Sequence, residues 1–178
     1  MRNDERFGLQ YKLGDRVKDE ITGFEGIVVC VVKHYKSSLR IGLAPEEPTD
    51  DNEKPEEEWF DADRLELVES NIVEPKNNKS VFKVAEAMDV KQGDKVEDSV
   101  TGFEGTLTSF NDWLYGCHFM GIKPQELDSE GNPVSRRSFP VDRIEVIERD
   151  DELRDNEDVE EQAYSGGPNL EQNHEQEF

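Results

Sequence analysis

Gly14-Asp15-Arg16-Val17-Lys18-Asp19-Glu20-Ile21-Thr22-Gly23-Phe24-Glu25-Gly26 returns as Gly93-Asp94-Lys95-Val96-Glu97-Asp98-Ser99-Val100-Thr101-Gly102-Phe103-Glu104-Gly105, at an offset of 79 residues. The register then runs on without a gap. Gly42 and Pro45 fall on Gly121 and Pro124, and Phe60, Asp63, Arg64, Glu66 and Glu69 fall on Phe139, Asp142, Arg143, Glu145 and Glu148. Across positions 14–69 against 93–148, 17 of 56 residues are identical, and they cluster at the two ends. A repeat of fixed period implies one structural unit used twice. The missing gap means equal strand and loop lengths in both copies.

Within each copy the pattern is that of short strands. Asp15 to Glu20 and Asp94 to Ser99 alternate polar and apolar residues after a turn glycine. The two glycines of Thr-Gly-Phe-Glu-Gly allow a tight turn, with Phe24 and Phe103 tucked into the core as buried rings. Ile27 to Val32 and Thr106 to Phe110 form a second strand, and Leu39 to Leu43 and His118 to Ile122 a third, stopped by Pro45 and Pro124. A fourth starts at Trp59-Phe60 and Ser138-Phe139; one helical turn and a last alternating strand close the unit. The expected fold is all-β: a tandem duplication of a small SH3-like five-stranded barrel with an extended acidic C-terminal tail. Residues 10–70 form copy one, 71–89 a linker, 90–149 copy two and 150–178 the tail. Asn71, Pro75, Asn77 and Asn78 favour an irregular linker. Residues 81–88 stay open between strand alternation at Phe82/Val84 and the helix-favouring Ala85-Glu86-Ala87-Met88.

The string Gly-Asp-x-Val followed by a turn and Gly-Phe-Glu-Gly resembles the opening of KOW-type SH3-like barrels. In full, Gly-Asp-[Lys/Arg]-Val-x-Asp-x-[Val/Ile]-Thr-Gly-Phe-Glu-Gly is similar to that of small accessory proteins of tailed bacteriophages. The KOW resemblance implies contact with RNA through basic loops. Here the matching turn carries Glu25 and Glu104, so that role is not carried over.

The chain has 43 acidic and 21 basic residues, a net charge of -22, and is 33% hydrophobic against 36% charged. A field of that sign repels phosphate backbones and anionic lipid, so neither direct nucleic-acid binding nor membrane binding is expected. So low an apolar share suits two small cores rather than a single large one. Cys30 and Cys117 occupy non-equivalent positions and read as reduced, partly buried thiols. His34, His118 and His174 form no recognisable catalytic arrangement, and Cys117 and His118, being adjacent, point to opposite faces of a strand. Asp15, Asp19 and their counterparts read as acceptors for turn amides and for Arg64 and Arg143. No cofactor, metal or enzymatic activity is expected.

Exposed aromatics are the better lead: Tyr35, Trp59, Trp113 and Tyr115 fall near hairpin tips or strand starts, and Asn111 to Gly116 reads as a β-turn. The loop from Pro45 to Glu58 holds eight carboxylates and one Lys54, whereas the equivalent loop of copy two holds Arg136 and Arg137. The tail from Arg149 carries eleven acidic and two basic residues, with Tyr164, Leu170 and Phe178 as apolar anchors for a docking arm. These residues point to protein partners, in keeping with the phage resemblance: capsid or neck subunits, with the chain a virion accessory component such as a head decoration. The alternative is an intracellular factor in the host cytoplasm, an acidic nucleic-acid decoy or a sequestrant of a nucleotide signal. A sequestrant needs basic residues gathered in a pocket, and the sequence offers chiefly Arg136, Arg137 and Arg143.

Overall fold

The computed structural model describes residues 7–46, 56–76 and 80–152. Ten strands and one short helix follow in chain order. The first half holds β1 (Arg16–Asp19), β2 (Glu25–His34), β3 (Leu39–Ala44), β4 (Glu58–Asp61), a 3₁₀ turn (Ala62–Arg64) and β5 (Leu65–Glu69). Helix α1 (Val81–Ala87) intervenes. The second half holds β6 (Lys95–Asp98), β7 (Phe103–Trp113), β8 (Phe119–Lys123), β9 (Arg137–Pro140), a 3₁₀ turn (Val141–Arg143) and β10 (Ile144–Glu148). Every strand pairing is antiparallel.

In each half the last strand returns beside the first, giving the orders β5-β1-β2-β3-β4 and β10-β6-β7-β8-β9. The same polar device sets both first turns. The buried Asp19 carboxylate accepts from the Thr22 amide at 2.8 Å and hydroxyl at 2.6 Å, and from Arg64 Nε and Nη2 at 3.0 and 2.8 Å. Asp98 does the same with Thr101 and Arg143, the guanidinium contacts being 2.7 and 2.6 Å. Buried carboxylates persist when their lone pairs are filled in this way. Asp15 accepts from the amides of Lys12 and Asn71, and Asp94 from those of Lys91 and Asp150. The paired carboxylates are thus braces of the fold.

Two expectations are corrected. Instead of two separate small cores there is one continuous cluster. It takes Val17, Val28, Val31, Ile41, Leu43 and Leu65 from the first half and Val96, Leu107, Phe110, Met120, Ile122 and Ile144 from the second. Residues 81–88, left open between strand and helix, resolve as α1, capped by Ser80 Oγ accepting from the Phe82 amide at 3.3 Å. Seven residues are too few for a self-supporting helix; burial of Val81, Phe82 and Ala85 holds it, with the Phe82 ring edge-on to Phe7 and Phe110. Phe24 and Phe103 are half-buried rather than buried: they lie on the core's rim, against Phe60 at 5.5 Å and Phe139 at 5.3 Å.

Candidate functional site

The two halves meet strand to strand. Cys30, Val31, Val32, Lys33 and His34 of β2 pair with Trp113, Asp112, Asn111, Phe110 and Ser109 of β7. Adding 79 to each β2 residue, and subtracting 79 from its partner, returns the same set of pairs, so the seam has an internal twofold centred on Val32 and Asn111. The flanking bonds obey it too: the Tyr35 amide donates to Thr108 O and the Leu114 amide to Val29 O, both at 2.8 Å. The stretch read as a β-turn is therefore largely strand. Asn111 to Trp113 complete β7, Leu114 is buried, and only then does the chain turn, leaving Tyr115 51% exposed.

Side chains alternate across a strand, so the seam has two faces. Val31 and Phe110 point into the core, and the Asp112 carboxylate accepts from the α1 amide of Val81 and sits 2.7 Å from His118 Nδ1. Val32, His34, Asn111 and Trp113 point the other way. With Arg40, Trp59 and Arg136 they line a groove of about 350 Å³.

Two glycines let distant side chains reach this face. Trp59, Gly42, Cys30 and Trp113 lie in one row across β4, β3, β2 and β7. A Cβ on Gly42 would press on the Trp59 ring at 3.2 Å; without one, the indole lies across the strand and meets Trp113 edge to face, 6.4 Å between centroids. The twofold-related row holds Ser138, Gly121, Ser109 and His34. There Arg136 crosses Gly121, its Cδ 2.9 Å from where a Cβ would stand, and Nη1 donates to His34 Nδ1 at 2.7 Å. That bond requires Nδ1 unprotonated. Desolvation first, then the charges of Arg136, Arg40 and Lys33, lower the His34 pKa, so the ring stays neutral and Arg136 keeps its charge. Between the rows, Arg40 lies beside Val32, donating Nη2 to Trp59 O at 3.1 Å with Nε 3.4 Å from Asp61 Oδ1. Asn111 Oδ1 is buried and has no hydrogen-bond partner among the described residues.

Of the binding residues expected from sequence, the structure brings together Trp59, Trp113 and Arg136. Arg137 lies instead over the Phe103 ring, Tyr35 is half-buried under Lys36, and Tyr115 faces Lys76. Tyr164, Leu170 and Phe178, and most of the acidic loop, lie outside the described residues. His34, Arg40 and Asn111 join the site from outside the expected set. Of the two thiols, Cys30 is buried under the Trp59 row, where desolvation pushes its pKa up, and Cys117 is exposed. No helix among the described residues is long and apolar enough to cross a membrane.

No family model, curated protein or solved structure matches the chain.

Proposed function

We propose that the chain is a non-enzymatic binding protein, built by duplication of an SH3-like module, whose two copies together frame one recognition groove. The strand order with the last strand beside the first, and the 3₁₀ turn before it, support the SH3-like assignment. The groove carries the functional reading. It gathers two tryptophans and two arginines at the seam of a protein whose net charge is -22. Local positive charge set against so acidic a background serves recognition of an anion better than it serves solubility.

The phage resemblance supplies the setting, an accessory protein. Within it, Arg40 and Arg136 meet the requirement set for a sequestrant, basic residues in a pocket, and favour an intracellular role in the host cytoplasm. The virion reading has its own support. Ile21 and Val100 stand at equivalent turn tips, 73% and 71% exposed, giving a capsid or neck lattice two like contacts on one chain. Mass spectrometry of purified particles separates the two. The sequestrant is expected in the infected-cell lysate and absent from particles; stoichiometric incorporation would overturn it. A Trp113→Ala variant tests the groove in either setting, because ligand capture or particle incorporation is expected to fail with it.

A further inference from the structure

We infer that the groove binds a nucleotide-sized planar anion: a nucleobase stacked on an indole face, with its phosphate held by Arg136 and Arg40. The inference rests on the groove being the binding site and goes on to name the ligand's chemistry.

Trp59 and Trp113 stand at 85° to one another, edge to face, and Trp59 is 40% exposed, so indole surface is left for stacking. Arg136 uses one N–H on His34 and forms no ion pair among the described residues. Arg40 is anchored by Trp59 O and Asp61. Each guanidinium therefore has its position fixed while keeping N–H donors for a phosphate oxygen, the geometry in which arginine recognises phosphate best. Asn111, on the same face, has its Oδ1 sealed from solvent, so the polar groups open to a ligand are those of the two arginines. A volume of about 350 Å³ falls at the small end of ligand pockets. The same -22 charge that repels a polyanion such as nucleic acid costs a ligand of one or two charges far less. Glu57, just before β4, and Asp61, at its end, are carboxylates beside the site. They select against ligands that extend beyond the arginines with further negative charge.

The chain's two tryptophans are both in the groove, so intrinsic tryptophan fluorescence reports on this site alone. The test titrates the full chain with AMP, UMP, adenosine and inorganic phosphate, following fluorescence and heat. Saturable quenching by a nucleoside monophosphate is expected, with adenosine and phosphate each weaker by about tenfold or more. Arg136→Ala is expected to weaken AMP by a similar factor and leave adenosine unchanged. Adenosine binding as tightly as AMP, or no response to either nucleotide at millimolar concentration, overturns the proposal. If nucleotides fail while Trp113→Ala still abolishes capture or incorporation, only the ligand class falls. If Trp113→Ala changes neither, the groove itself is not the binding site.

Discussion

The first and second halves carry the same frame and different seams. Asp19, Thr22 and Arg64 repeat as Asp98, Thr101 and Arg143 with matching bonds. At the seam, by contrast, Cys30, Val32, His34, Arg40 and Trp59 have Ser109, Asn111, Trp113, Phe119 and Ser138 as their equivalents. Residues that hold a turn must be present in both halves, since each half has to close its own strands. At the axis Val32 meets its own counterpart Asn111, while Cys30 meets Trp113 and His34 meets Ser109, so identical halves would make the two flanking rows alike. A tryptophan on one side and an arginine on the other give the groove a polarity that two equal halves could not.

The largest expected effect tests whether the frame is shared. Ile41→Ala and Met120→Ala remove equivalent side chains that are both fully buried in the common cluster. Each should cost about 2–5 kcal/mol, and either should lower a single denaturant transition seen alike by fluorescence and circular dichroism. Two separated transitions would mean two independent halves. Next comes the twin brace. Arg64→Ala and Arg143→Ala should lower the melting temperature markedly and by matching amounts, since each leaves a buried carboxylate without its guanidinium. The arginine bond, aided by Thr22 or Thr101, holds Asp19 and Asp98 at about 2, against an ordinary 3.8. A depressed carboxylate contributes its stability above the ordinary value and loses it as pH falls towards the folded value. The gap between wild type and each variant should thus be full above pH 3.8 and close as pH approaches 2; acid melts of the three proteins would show it.

Phe24→Ala and Phe103→Ala come third, at about 2–3 kcal/mol each, below the cost for wholly buried rings because both are half-exposed. Calorimetry giving one twice the other would show that the rims differ. Gly42→Ala and Gly121→Ala split the seam instead, at about 1–2 kcal/mol. Only the first should shift tryptophan emission, because its new methyl displaces Trp59, whereas the second presses first on the buried Ser109 hydroxyl and then on Arg136. The smallest effect is expected at Ile21→Ser and Val100→Ser, within about 0.5 kcal/mol in chemical melts, since these tips touch solvent.

Much of the frame was legible before the structure, for a physical reason. Turn glycines, the Asp-x-x-Thr spacing and period-two alternation are local, so the sequence displays them directly, and nine of the ten strands lie close to their expected places. The exception is β7, whose Asn111-Asp112 looks like turn chemistry until the partner strand is known; Asp112 is buried there because α1 brings it an amide. A sign of the seam was present in Ile27 to Val32, six consecutive apolar residues that fit a strand enclosed on both sides better than one with a free edge. The groove was less legible still. Arg40, Trp59 and Arg136 converge only through glycine gaps in neighbouring strands and a pairing 79 residues out in sequence.

That pairing also sets a clock on synthesis. When β2 is complete at His34, the strand that covers it ends at Trp113, 79 residues further on. At about 5–20 residues per second the ribosome needs roughly 4–16 s to deliver it. Meanwhile an apolar strand edge stands open, and its best substitute for β7 is β2 of another nascent chain approaching along the same twofold. Crowded polysomes would favour that exchange, as open edges do generally. Tethering works against it, because a second half on the same chain arrives at an effective concentration in the millimolar range. Yield of correctly folded chain should therefore fall with the density of ribosomes on the message.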